Sequence, residues 1–449
     1  MDYLDKYDKG IAHPTLDSVR RTYRIQRDFQ YKSRDEILDY QFKSLKQLLH
    51  HASKTVPMYT SLYNGTVDIN SWEEFESLPE LTRIHLNEWS IDQRVSTKLS
   101  ADTVPRTEIK TSGTTSIPVA TGRSTRAEVW RSACKLLEYD WMELNPNGAT
   151  ISVRFNLGPD SPNWNEELGC VVTPNWEEGL LKKLLDFGKG YQLPLGTSGR
   201  KMAEFISLVG AKHLMCTTTI METALPFLDC PDMDLILALG ETMPPATRAK
   251  ISKAYGARVY DIYGAREIGR IASECPEGDG HHVHDSNIYL EIVDDHGKSV
   301  MPGESGIVLI TTLQNPGMPL IRYRLGDVAT VGHPCSCGRG LMHIETILGR
   351  EVSRIYLQGG RKEHGRRPLR YLEELSSVKV FRLRQKDYTT FMLELTLESS
   401  IAQVEVDGLR KILNEVTESE VSLDWITVPE IPITSGGKRH RLVHDFEPA

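Results

Sequence analysis

The sequence predicts an α/β protein. A large N-terminal domain combines parallel-sheet α/β subdomains with a β-rich part, and a small α+β C-terminal domain follows. Three observations carry this. Between about residues 200 and 264, strand-like and helix-like segments alternate, the order that builds βαβ units around a parallel sheet. After about residue 286, β-rich runs follow one another around Gly/Pro turns, as in antiparallel structure. From about residue 350 a second set of strands and one amphipathic helix suffices for a unit of roughly 100 residues. At 449 residues the chain exceeds one ordinary core, so at least two domains are expected; the boundaries read as 1–348 and 349–449.

The elements follow in order. Residues 35–65 read as helical, because Leu45, Leu48, Leu49 and Ala52 fall on one face at the spacing of an amphipathic helix. The run "TSGTTS", Thr111–Ser116, is too polar and too rich in small hydroxyls for core or helix. Next come a helix in "KMAEFISLVGA", a strand in "KHLMCTT" and a buried strand in "MDLILALGET". "PPATRAKISKAYGA" is a helix opened by proline and closed near Gly256, and "RVYDIYG" is the strand after it. Further on, "VKVFRLRQ" and "TTFMLELTLE" are strands, and Leu409, Ile412, Leu413 and Val416 share a helix face.

Composition narrows the partners. Hydrophobic residues make up 39%, charged residues 25%, and the net charge is −8, so nucleic acid is not expected as the main partner. No apolar run reaches the roughly 18 residues a membrane span needs. The opening "MDYLDKYDKG" is charged and lacks an apolar export core. Seven spread cysteines in a long chain suit a reducing compartment, and a cytoplasmic protein is expected.

The hydroxyl-rich run is not a Walker loop, because no Gly-Lys-Ser/Thr ends it. Its chemistry still suits a polyphosphate: Gly113 admits close backbone approach, and successive N–H and O–H donors can wrap anionic oxygens. "TSGTTSIP" resembles the phosphate loop of the adenylate-forming (ANL) superfamily, which includes acyl- and aryl-CoA ligases. "ALGET" (238–242) and "YDIYGAREIG" (260–269) resemble its adenine-binding strand ends and its Tyr-Gly-x-Ser/Thr-Glu motif. "PLIRYRLGD" (319–327) resembles the Tyr-Arg-Thr-Gly-Asp motif, "ILGRE" (347–351) the start of the interdomain hinge, and "IPITSGGKRH" (431–440) the C-terminal lysine motif. All stand in the superfamily's order. Within it, "LLHHASKTVPMYTSLY" (48–63) and "PCSCGRG" (334–340) resemble marks of phenylacetate–CoA ligases and their capsule-biosynthesis-type relatives.

The resemblance implies a role for each position. Thr111, Ser112, Gly113, Thr114 and Thr115 would cradle phosphates, and Glu267 would help bind Mg²⁺. Gly240, Glu241, Asp261, Tyr263 and Gly264 would border the adenine, with Tyr263 stacking on it. Asp327 would accept bonds from the ribose hydroxyls, Arg350 would lie by the nucleotide at the hinge, and Lys438 would bridge the attacking carboxylate and the phosphate. Singly, each has a bland reading: Glu267 a helix-start acid, Asp327 a turn residue, Lys438 a solvated lysine.

Cys134, Cys170, Cys216 and Cys230 stand in apolar surroundings and read as small core residues. Cys275, Cys335 and Cys337 cluster by motif, and with a histidine they would make a Cys₃His zinc site. The family spacing puts that ligand at His282 rather than His281 or His284. Such a closed site would be structural.

Departures from the pattern matter. Ile117 stands where many relatives carry lysine, and Arg266 stands where Ser or Thr is usual. Arg266 would replace the missing charge at the reacting phosphates or pair with an acid. Val352 replaces the usual Asp or Lys of the hinge. The following loop carries Arg361, Lys362, Arg366, Arg367 and Arg370, as a dock for CoA phosphates, as a solvated surface, or as a site rebuilt for another acceptor. The expected protein is an ATP-dependent carboxylic acid ligase, a possible homodimer, acting on an aromatic or related small acid. It would use ATP, Mg²⁺ and CoA. The alternatives are an adenylating amide (N-acyl) synthetase with an amine acceptor, and a degenerate nucleotide-binding protein.

Overall fold

The computed structural model describes residues 2–98, 107–110, 119–154, 156–229, 231–277, 280–351, 354–432 and 439–446. Among them one 13-stranded sheet dominates. Its middle is parallel: Gly190–Pro194, Thr150–Arg154, His213–Cys216, Leu235–Leu239 and Arg258–Ala265 lie side by side. Beyond Arg258–Ala265 the sheet continues antiparallel through Gly269–Glu274, His281–Val283, His343–Arg350, Tyr323–Val331, Ser305–Thr312 and Ile288–Val293. The α/β and β-rich parts expected from sequence are therefore halves of one sheet. Strand direction changes at the turn between the paired residues Ala265 and Gly269, inside "YGAREIG". A Cβ on Gly264 would stand 2.6 Å from the carbonyl oxygen of Gly269, so the close turn requires glycine there.

The parallel strands are covered on both faces, which explains their continuous apolar runs. In Leu235–Leu239, Leu235 and Leu237 point into one core with Ala133, Leu136 and Leu137 of the helix Thr125–Trp141. Ile236 and Ala238 point into the other, against Phe205 and Ile206 of helix Gly199–Val209 and Ile251 and Tyr255 of helix Pro245–Tyr255. The last helix starts with proline and ends on Gly256 at φ 63°, the expected asymmetry. The 35–65 stretch is two helices, Arg34–Thr55 and Pro57–Leu62, the first opened by a Ser33–Glu36 capping box.

After Arg350 the chain builds a separate four-stranded sheet in the order Ser422–Thr427, Thr390–Leu397, Val378–Gln385, Leu442–His444. Helix Gln403–Thr417 buries Leu409 and Leu413 in its core, while Ile412 and Val416 are only half-buried. The basic segment was expected as a loop, but it contains the strand Lys362–His364 and the helix Arg366–Glu374. Pro368 falls in that helix's first turn, where its missing N–H costs nothing. Among the described residues no helix is long and apolar enough to cross a membrane.

Candidate active site and metal centre

The carboxyl ends of the parallel strands and the adjoining antiparallel hairpin bring Tyr263, Asp327, Arg350 and Glu267 of the expected nucleotide residues together. Tyr323–Val331 and His343–Arg350 pair so that Asp327 stands directly opposite Arg350. Arg350 Nη1 donates to Asp327 Oδ1 at 3.0 Å and to the Leu325 carbonyl at 3.1 Å. Tyr263, from the last parallel strand, donates its hydroxyl to Asp327 Oδ2 at 2.8 Å. Burial, followed by the adjoining Asp327 charge, pushes the Tyr263 hydroxyl well above its ordinary range, so it stays a donor. Asp327, Tyr263 and Arg350 thus form one hydrogen-bonded unit, with Tyr263 buried and the other two half-buried.

Glu267 follows on the hairpin turn and is 6% exposed. Arg83 Nη2 donates to its Oε1 at 2.7 Å, and the Tyr323 hydroxyl donates to the same oxygen at 3.1 Å. Among the described residues both bonds fall on Oε1. Arg83 escaped the sequence reading: 184 residues separate it from Glu267, and nothing in "LTRIHL" marks it. Arg266 is exposed, and its carbonyl accepts from Arg123 Nη2 at 2.7 Å. Arg123 also lies 3.5 Å from Glu128.

Glu241 follows strand Leu235–Leu239, beyond Gly240 at φ 76°. Its carboxylate accepts from Thr219 N at 2.8 Å and Thr219 Oγ1 at 2.9 Å. Its Oε1 also lies 3.3 Å from the backbone nitrogen of Arg439, which donates to it. Arg439 is thereby held at the carboxyl ends of the parallel strands, the usual ligand position of such sheets. Asp261 sits lower on its strand: its N–H donates to Glu274 Oε2 at 2.9 Å, and its carboxylate lies 3.4 Å from His281 Nε2. The phosphate-loop residues Thr111, Ser112, Gly113, Thr114 and Thr115, and Lys438, lie outside the described residues. So do Ile117, Val352 and Cys230.

No family model matches the chain. A phenylacetate–coenzyme A ligase of Aromatoleum evansii is 25% identical over 348 residues, covering 73% of either chain. Another, of Pseudomonas putida, is 23% identical over 403 residues, covering 84% of this chain and 86% of that one. Among solved structures, 2-hydroxyisobutyryl-CoA ligase with R3-HIB-AMP aligns with a TM-score of 0.70 at 17% identity, over 90% of this chain and 89% of that one. Over most of its length the chain is thus similar to acid–CoA ligases of the adenylate-forming type. Its α/β architecture, a large mixed sheet followed by a small C-terminal one, is that of the superfamily's ligases.

The cysteine cluster also closes. The donor atoms of Cys275, His282, Cys335 and Cys337 all lie within 4.8 Å of one another. Cys275 Sγ and Cys335 Sγ are 3.7 Å apart, and His282 Nε2 is 3.2 Å from Cys337 Sγ. Thiolates on a tetrahedral zinc stand about 3.8 Å apart, so the donor set fits. Burial pushes the His282 imidazole down to about 3, keeping it neutral as a ligand must be. Burial pushes the Cys275 thiol up to about 12. At Cys337 burial also raises the thiol, but hydrogen bonds from Arg339 outweigh it and hold it low. His281 and His284 are elsewhere: His281 faces Asp261, and His284 Nε2 lies 3.2 Å from Glu138. Cys134, Cys170 and Cys216 are buried and free, as expected.

The cluster's loop ties down the N-terminal helices. Arg339 Nε and Trp141 Nε1 both donate to Gln30 Oε1, at 2.7 and 2.9 Å. Gly340 donates to the Gln30 carbonyl at 3.0 Å, and a Cβ there would overlap the backbone of Lys32.

Proposed function

We propose that the chain is an ATP-dependent ligase that activates a carboxylic acid as its acyl-adenylate and then transfers the acyl group to CoA. The carrying observation is the joining of Asp327, Tyr263 and Arg350 next to the turn that carries Glu267, with Arg439, the residue after Lys438, bonded to Glu241 at the strand ends. In the first step an oxygen of the acid attacks the α-phosphorus of ATP and pyrophosphate leaves. Two anions must meet, so positioning and charge neutralisation dominate. Asp327 holds the ribose: each carboxylate oxygen accepts one bond here and keeps a second lone pair for a hydroxyl. Glu267 Oε2 is the proposed Mg²⁺ ligand, Mg²⁺ supplying charge neutralisation when bound. Thr111–Thr115 line the phosphates, and Lys438 bridges acid and phosphate. In the second step the thiol of CoA attacks the acyl carbon, and AMP leaves.

Residues 1–348 are proposed as the ATP- and acid-binding domain, and 349–449 as a domain that rotates between the steps. The named relatives make an aromatic or related small acid the first choice. Cys275, His282, Cys335 and Cys337 are the proposed ligands of one structural zinc. An amine acceptor is the second reading. It is favoured by the basic segment, where Arg361, Arg367 and Arg370 are already engaged by Glu418, Glu415 and Glu374. A panel of acids with ATP, followed by mass analysis with CoA or amines, separates the two. An acyl-CoA supports the first reading and an amide the second, while ADP in place of AMP rejects both.

A further inference from the structure

We propose that Arg439, gripped by Glu222 and Glu241, is the latch that holds the C-terminal domain closed for adenylation and lets go before acyl transfer. The inference rests on the two-step ligase reading, and it names the groups that hold Arg439, the neighbour of Lys438 in sequence.

Glu222 and Glu241 come from neighbouring places. Strands His213–Cys216 and Leu235–Leu239 pair in parallel. Helix Thr218–Ala224, carrying Glu222, follows the first, and Glu241 follows the second. The two bonds from Thr219 fix the Glu241 carboxylate before Arg439 arrives. Arg439 then makes two different contacts across the domains. Its backbone N–H donates to Glu241 Oε1 at 3.3 Å, and its Nη1 lies 3.6 Å from Glu222 Oε2. The backbone contact sets chain register, not merely charge.

Neighbouring charges fit a latch rather than a rigid core pair. Burial raises the Glu222 carboxyl, while Arg441 and Arg439 oppose that, Glu241 adds to it, and Lys250 opposes it. Arg439 faces Glu222, Glu241, Arg441 and Glu430. Arg441 is already bonded to Glu373 of its own domain, so Arg439 makes the guanidinium contact to Glu222. Its Nε is buried without a hydrogen-bond partner among the described residues, and the Glu222 side chain is 26% exposed. A partly wet ion pair of this kind is modest in strength. It can bias closure and still break in each turnover. Rotation of the small domain must separate Arg439 from both carboxylates.

The test compares wild type, Glu222→Gln, Arg439→Met, Arg439→Lys and the Gln/Met double variant in the two half-reactions. Adenylation is read by ATP–pyrophosphate exchange, and transfer by supplying chemically made acyl-adenylate with the active acceptor. Each single removal should lower the adenylation kcat about tenfold, the scale of one charge-assisted contact, leaving the KM for the acid unchanged. The double variant should be no worse than the worse single. Arg439→Lys should retain most of the rate, and the transfer step should be as fast as wild type or faster. Additive losses, a raised acid KM at unchanged kcat, or an equal fall in both half-reactions would overturn the latch. Unaffected variants of an active wild type defeat the latch alone; a wild type without any exchange defeats the ligase reading and the latch with it.

Discussion

Asp327, the proposed ribose holder, has both oxygens already in use, one by Tyr263 and one by Arg350. Such a carboxylate is oriented before ATP binds, so its loss should appear in ground-state affinity. Asp327→Ala should raise the KM for ATP by roughly 10- to 100-fold, the worth of hydrogen bonds to a charged group, with kcat little changed. Isothermal titration with ATP checks this, and wild-type affinity would remove Asp327 from the ribose site. Arg83 carries a second expectation. Its partner Glu267 has a side chain only 2% exposed, so Arg83→Ala strands a buried carboxylate. It should cost about 2 kcal/mol or more of stability, partly regained by adding Glu267→Gln, as urea unfolding would report. The pair shows where the sequence was opaque. Glu267 stood in a recognisable motif, but Arg83 reaches it only through folding, and a lone arginine in "LTRIHL" carries no periodicity. Arg439 was equally silent, although it adjoins Lys438, because its partners Glu222 and Glu241 are set by sheet order.

At the scale of elements, the helices and strands read from the sequence were legible because their apolar spacing matched their burial, whereas helices Pro14–Phe29 and Thr125–Trp141 were not read. "LILAL" has apolar side chains facing both cores, and "RVYDIYG" pairs beside it. The helix Arg366–Glu374 was not legible. Its start follows two glycines and contains Pro368, cues that read as loop until Leu372 is seen buried in the small domain's core. The cysteine–histidine cluster was legible as a pattern, and its reach across the fold was not. Because Arg339 and Gly340 clamp the Gln30 turn, losing the knuckle should loosen the N-terminal helices as well. Protein purified without a polyhistidine tag should carry about one zinc per chain, as structural Cys₃His sites do. Cys335→Ser should lose the metal and lower Tm by about 5 °C or more. Metal-free protein with an unchanged melt would reject the site.

For the whole molecule, the sequence suggested two textures, and the fold joins them in one sheet whose change of direction is the candidate site itself. That junction was not readable, because pairing between Arg258–Ala265 and Gly269–Glu274 depends on the turn at Gly264, not on composition. The proposal for the small C-terminal domain is that Lys438 serves the site for one step only. Lys438→Ala should cut adenylation by about 10²-fold, the scale of one preorganised charged donor, and still pass a supplied acyl-adenylate to the acceptor. Equal losses in both steps would contradict a domain that rotates. The central claim is that this chain makes acyl-adenylates, and acid-dependent exchange of labelled pyrophosphate into ATP, with no acceptor present, measures that directly. The account requires exchange that appears only when a suitable acid is added and that needs Mg²⁺. A chain that binds ATP yet exchanges no pyrophosphate with any acid, or that releases ADP and phosphate, would contradict it.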